Sequence, residues 1–224
     1  MTLTSDSVDD ARLTTHEWVL AKMRRDIYNG VWSPGSRVVQ TDIAKLYGVS
    51  VTPVREAMRD LLNDGLITAD PHKPATIRAL NVAEAVEIND LRMILEPLAV
   101  RRATPHISDD ELRQLEQLSV EMTRSHDPKK WVELNERFHA IIIDATRLPN
   151  LIGILSGLRR VSRFYFAAAL RADGGDYGKR DHEHDELIAR LRERDAEGAG
   201  RIMDSHLSPS DELERRLTLA RDGE

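Results

Sequence analysis

The run Ile43-Ala44-Lys45-Leu46-Tyr47-Gly48-Val49-Ser50-Val51-Thr52-Pro53-Val54-Arg55-Glu56-Ala57-Met58 decides the fold of the N-terminal part of the chain. Thr41 is placed to cap a short helix over Asp42–Tyr47, and Gly48 to stop it, because glycine takes the left-handed conformation without steric cost. Ser50 is placed to cap the next helix. Pro53 falls in that helix's first turn, where the missing N–H costs nothing. Val54, Met58 and Leu61 follow as a buried stripe until Gly65 ends the helix near Asn63-Asp64. Two helices joined by a three- or four-residue turn containing Gly have helix-turn-helix spacing. On the second helix Thr52, Arg55 and Arg59 fall at i, i+3 and i+7. They present a hydroxyl and two guanidinium forks along the end of a helix that fits a DNA major groove. Arg55 and Arg59 also alternate with Glu56 and Asp60, as on a solvated face, and it is the surrounding turn and wing that favour DNA.

Working outward, Thr14-Thr15-His16-Glu17 has capping-box spacing, and Leu20, Met23 and Ile27 share one face until Asn29-Gly30, which predicts a first helix. Ser33-Pro34-Gly35-Ser36 is a turn before the apolar pair Val38-Val39. Beyond the helix-turn-helix, Leu66-Ile67-Thr68 and Thr76-Ile77-Arg78 flank Pro71-His72-Lys73-Pro74, which predicts a two-stranded wing. Residues 14–80 are therefore read as a winged helix-turn-helix of three helices and a small β-hairpin. Residues 1–13 are read as a disordered tail.

The whole chain of 224 residues is 41% hydrophobic, 4% aromatic and 31% charged, with a net charge of −6. Few aromatics and charges interspersed with Leu, Ala, Ile and Val at helical spacing predict a mainly α protein and argue against all-β architectures. The absence of cysteine excludes disulfides, thiolate zinc sites and cysteine nucleophiles. The first ten residues are polar and acidic, and no stretch approaches a membrane span, so the expectation is a cytoplasmic protein with no membrane partner. Net acidity taken alone would argue against nucleic acid. Residues 14–78, however, hold nine Lys/Arg against seven Asp/Glu, whereas 81–224 hold 22 against 28. The acidity belongs to the second part, and a domain boundary is placed near Leu80-Asn81.

The Ile43–Met58 run resembles the signature of GntR-type transcription regulators, in register through the Gly-Val-Ser turn, the Thr-Pro pair and Val-Arg-Glu-Ala. The resemblance implies a third helix that reads the major groove and a wing that reaches toward the minor groove. DNA contacts then fall to Thr41, Ser50, Val51, Thr52, Arg55 and Arg59, with His72 and Lys73 on the wing. Two positions depart from the pattern. Val51 stands where the family carries its first recognition-helix arginine, and the wing's usual glycine is replaced around Lys73-Pro74.

From Val82 onward six or seven helices are predicted: Val82–Ala103 with a kink at Pro97, Ser108–Ser125, Pro128–Thr146, Asn150–Arg171, Tyr177–Arg194, and Ala196 to about Arg221, bent near Pro209. Ser108-Asp109-Asp110-Glu111 is a second capping box, and Leu112, Leu115, Leu118 and Met122 form ordinary core periodicity. The stretch Leu91–Ala99, with Arg137-Phe138-His139, Glu183-His184 and Ser205-His206-Leu207, resembles the FCD-type effector domain of the FadR subfamily of GntR regulators. Residues 81–224 are accordingly read as an all-helical ligand-binding, metal-binding and dimerisation domain.

Asn135 and His139 are i, i+4 on one helix face, and His184 and His206 lie on two later helices able to close around the same centre. Three imidazoles suit Zn, Ni or Mn better than Mg or Ca. The set matches the family's pattern of Asp or Asn four residues before His, then His and His. Many relatives carry Asp at the place of Asn135. His182 competes with His184 but points about 200° away on a helix. Resemblance and charge together imply a small carboxylate effector that completes the metal's coordination. Arg92 is then either its second anchor or a member of a surface or inter-domain ion pair.

The expectation is a homodimeric, sequence-specific transcription regulator, more a repressor than an activator, on a palindromic double-stranded operator and not an enzyme. A metal-dependent enzyme acting on a small hydroxy or sugar acid is the alternative, weakened by the lack of any HExxH-type pairing or nucleophile motif. A purely structural metal is a third reading.

Overall fold

A computed structural model describes residues 13–70, 74–173, 178–207 and 210–222. The chain forms two compact units, Met1–Leu80 and Asn81–Glu224. In the first, α1 (Thr15–Tyr28) starts at the capping box: Glu17 N–H donates to the Thr14 hydroxyl at 3.3 Å, and Thr14 N–H donates to the Glu17 carboxylate at 2.8 Å. It ends at Asn29, followed by Gly30 at φ 69°. Next come β1 (Arg37–Val38), α2 (Gln40–Tyr47), α3 (Val51–Asn63), β2 (Ile67–Thr68) and β3 (Ala75–Ile77). Val19, Met23, Ile27, Val54, Ala57 and Leu61 bury the seam between α1 and α3. His16–Asp60 (2.7 Å) and Arg24–Asp64 (2.6 Å) tie the same two helices at their polar edges.

The expected hairpin is present as β2 and β3, and β1 adds a third strand, so the sheet runs β1-β3-β2 and is antiparallel throughout. The second edge of β3 would otherwise lack partners, and the Val38 stretch supplies them. Arg37 pairs with Thr76 and Val38 with Ala75, while Ile77 N–H donates to the Ser36 carbonyl at 2.8 Å. Thr41 is not a cap. α2 begins two residues earlier, after extended Val39, whose carbonyl accepts from Asp42 and Ile43. Ser50 does occupy the N-cap of α3 but makes no side-chain capping bond, so neither hydroxyl is used to start a helix.

The second unit is all-helical among the described residues. Its helices are α4 (Val82–Ala103), α5 (Asp109–Arg124), α6 (Pro128–Ala145), α7 (Pro149–Asp173), α8 (Gly178–Arg192), α9 (Ala196–His206) and α10 (Ser210–Asp222). α4 runs through Pro97 as one helix. The expected long last helix is instead two, α9 and α10. α9 stops where Leu207 turns to extended backbone, and the expected bend at Pro209 lies outside the described residues. Trp131 and Phe138 of α6, Leu115 of α5, Leu191 of α8 and Met203 of α9 are at most 1% exposed and anchor one core. No described helix is long and apolar enough to cross a membrane.

Gly48, between α2 and α3, has φ 68°, and a Cβ built on it meets nothing within 4 Å. Gly48→Ala therefore carries only the left-handed backbone penalty, about 1 kcal/mol. Urea unfolding should show a lower midpoint with an unchanged slope.

Candidate functional site

In the first unit α3 displays Val51, Thr52, Arg55 and Arg59 at its exposed surface, with Thr41 and Ser50 exposed beside it. Arg55 and Arg59 line an open groove together with Gln40 and Thr41 at the start of α2 and Pro74 and Ala75 of the wing. The acidic neighbour Asp60 is turned to His16 on α1, so it does not cancel the guanidinium face in the way the sequence alternation suggested. His72 and Lys73 lie outside the described residues.

In the second unit the expected ligand residues arrive from three helices. α6 starts with Pro128 behind the Asp127 cap and carries Asn135 and His139 inward; α8 carries His184 and α9 His206. His184 is wholly buried, His139 is 3% and His206 5% exposed, and one nitrogen from each lies within 4.8 Å of the others. The imidazoles of His139 and His206 face each other, Nε2 to Nε2, at 3.2 Å. His206 Nδ1–H donates to the Glu183 carboxylate at 2.8 Å, which fixes the tautomer and leaves the Nε2 lone pair toward the centre. Asn135 Oδ1 is buried and accepts no hydrogen bond among the described residues. His182 is 79% exposed, 3.7 Å from Glu186, and takes no part.

A cavity of about 40 Å³ opens beside the histidines, with Arg92, Asn135, His139, Ser162, His206 and Arg216 in its polar lining. At roughly 10–15 Å³ per water-sized group, it holds a few such groups and no large ligand. Arg92 faces it while donating Nε to Glu96 (2.7 Å) and a terminal nitrogen to the Ser162 hydroxyl (2.5 Å). The ion pair of Arg92 is thus with a carboxylate of its own helix, buried rather than at the surface or between domains, and the same side chain lines the cavity. Glu96 also accepts twice from Arg159 at 2.9 Å, and Arg159 reaches Glu136 at 3.0 Å.

Residues 15–77 match the profile described as bacterial regulatory proteins, gntR family, and residues 87–209 match the FCD domain. The chain belongs to the GntR family. Its relatives include the HTH-type transcriptional regulator YdhC of Bacillus subtilis, 28% identical with 84% of this chain and 85% of that protein covered. The HTH-type transcriptional repressor RspR of Escherichia coli is 24% identical, with 87% and 86% covered. Among solved structures the fold is shared with E. coli McbR/YncC, with a TM-score of 0.76 at 21% identity over 95% of this chain and 100% of that one. These relatives are transcription regulators, so the GntR protein is a DNA-binding transcriptional regulator and the enzymatic alternative is set aside.

Sequence reading missed several participants in this GntR regulator's site. Arg159 and Ser162 on α7 and Arg216 on α10 have no local pattern that marks them. Glu183, next to His184, was quoted without a role, although a carboxylate beside a histidine pair is the usual outer partner of a metal-bound imidazole. The charges have physical consequences. Burial would raise the Glu96 carboxyl, but Arg159 and Arg92 outweigh it and hold it below its ordinary value. Burial, then Arg159, the other two histidines and Arg92 push His139 well below its ordinary 6.5. His139 therefore stays neutral, as a metal ligand must.

In the metal-free protein this predicts a pH dependence. Above 6.5 both states carry neutral His139; as pH falls below it the unfolded chain takes up a proton that the folded chain refuses. Stability should drop by up to about 1.4 kcal/mol per pH unit as the pH falls below 6.5. The Glu96 contribution is lost only below its ordinary 4.5, further into the acid range. Chemical unfolding at several pH values should show His139→Gln with the shallower slope.

Proposed function

We propose that this GntR regulator, in the manner of the FadR subfamily, is a homodimeric repressor whose DNA affinity is controlled by a small carboxylate bound at a divalent transition-metal site in its helical unit. The observation that carries the reading is the convergence of His139, His184 and His206 beside an unmatched amide oxygen of Asn135 and a cavity lined by Arg92. Zinc fits this donor set, as do nickel and manganese. His139, His184, His206 and Asn135 would hold the ion, which when bound offers an open position to a carboxylate, and Arg92 would orient that carboxylate by its guanidinium. In the DNA unit Arg55 and Arg59 are the principal readers, with Thr41, Ser50, Val51 and Thr52 against the backbone or base edges and His72 and Lys73 on the wing. Two copies would place two recognition helices on the halves of a palindromic operator, and the effector would alter their spacing or orientation.

Dimer formation is supported by α4 and α7, which pack on one another and expose Leu91 (41%), Ile94 (68%), Leu98 (41%) and Ile154 (55%). The three on α4 fall at i, i+3 and i+7, one stripe that the described residues leave uncovered. Ile94→Glu should convert the dimer to monomer in equilibrium sedimentation with helix content unchanged.

A gel shift with DNA from upstream of the protein's own gene tests the core reading. Sequence-preferring binding that weakens steeply with salt is expected. Arg55→Ala should cost about 1–3 kcal/mol of that affinity. Removing metal with a chelator should abolish the response to carboxylates. Binding indifferent to sequence would sink the proposal.

A further inference from the structure

We propose that metal and carboxylate enter this site as a charge-coupled pair: His139, His184, His206 and Asn135 are all neutral donors, so the site holds a divalent cation tightly only when a small anion binds with it. The inference rests on the metal reading above and adds a regulatory property to it.

A buried divalent charge is costly unless anions surround it. Among the described residues, Glu96 and Glu183 are the carboxylates that approach these histidines, and neither is available to balance the ion in full. Glu96 comes within 3.8 Å of His139 Nδ1, yet it is already matched by Arg159 and by Arg92. Arg159 has Glu136 as its second partner, so these four side chains, two guanidinium groups and two carboxylates, balance among themselves. Glu183 reaches His206 from outside, with its side chain 32% exposed and its charge screened by water. Most of a bound cation's charge would then be left without a counter-charge.

Asn135 stands at the point where that deficit is set. Its buried Oδ1 accepts no bond among the described residues, and an aspartate there would have the same length and add one negative charge. With the amide in place, the charge has to come from outside the protein. The adjoining cavity of about 40 Å³, with Arg92 on its wall, has room for a carboxylate group. Because linkage is reciprocal, the anion tightens the metal and the metal tightens the anion by the same factor. The regulator then senses the two together. Metal alone exchanges, and anion alone meets the cavity's guanidinium groups without the cation that would tighten it.

The test uses the full-length chain stripped of metal, with zinc affinity measured by competition against a chromophoric chelator in sodium acetate and in sodium perchlorate at equal ionic strength. Zinc should bind about tenfold or more tighter in acetate, a coupling of ordinary size. Acetate should raise the melting temperature only of the zinc-loaded chain. Asn135→Asp should bind zinc about tenfold or more tighter in perchlorate and lose most of the acetate gain. If that variant fails to fold by circular dichroism, the acetate comparison on the unmodified chain decides alone. Equal zinc affinity in the two salts overturns the coupling and leaves the metal site standing. No zinc binding, or zinc binding indifferent to His139→Ala, overturns the metal reading and the coupling with it.

Discussion

Arg159 and Glu96, 4% and 2% exposed, share two hydrogen bonds of 2.9 Å between α7 and α4, and the helical unit is organised around that pair. Either charge alone at that depth would cost several kcal/mol, so each makes the other tolerable, and removing one partner is expected to cost about 3–5 kcal/mol. The pair does more than join two helices. Glu96 also accepts from Arg92, which directs that guanidinium to the cavity, and Arg159 helps keep His139 neutral. A buried ion pair is weak grounds for stability when compared with a well-packed apolar substitute. Its effect here is on the site: it orders an arginine at the cavity wall and preserves an imidazole lone pair.

The three histidines depend on helix placement that apolar packing alone does not settle. His184 lies against Phe138 with ring centroids 4.6 Å apart, so the same α6 side chain that fills the core also sets the depth of the α8 histidine. The turn from α8 to α9 fixes His206. Arg194 adopts φ 59°, a conformation costly for a side-chain-bearing residue, and donates to the carbonyls of Thr104 and Ile107 at 2.9 and 2.5 Å. Those two bonds satisfy carbonyls beyond the end of α4 and pin α9 to it. Arg101 of α4 adds ion pairs to Glu197 and Asp204 on α9, at 3.2 and 3.3 Å, and packs so closely that a side chain at Gly200 would collide with it.

Local signals in the sequence were legible where chemistry and neighbours agree. The capping boxes at Thr14 and Ser108, the left-handed glycines at 30 and 48, and the apolar stripe of α5 each depend on residues within one turn. The choice of His184 over His182 was also local, since two residues on a helix point to opposite sides. The third strand of the sheet was not legible because β1 is two residues long and pairs with a segment nearly forty positions away. Thr41 misled because threonine is a good cap in isolation, yet the carbonyl of Val39 already receives the first helical bonds. Arg159 was invisible for a different reason. A buried arginine looks like a surface one in sequence, and only the fold brings Glu96 and Glu136 to it.

The division of charge between the units bears on how the proposed dimer would read DNA. The winged unit carries only a small positive excess, so nonspecific attraction to phosphate is weak and Arg55 and Arg59 bear more of the recognition. Val51, 38% exposed at the tip of α3, offers no guanidinium there. In the proposed dimer one half-site would then be weakly held by itself. Joining two half-sites through the helical units makes the second contact effectively intramolecular, and the gain from that linkage is lost when geometry forbids simultaneous contact. The weaker each reader is alone, the more completely DNA binding depends on the spacing between the two. In the proposed regulator, modest single-helix contacts would be the physical condition under which a ligand in the helical unit controls the whole.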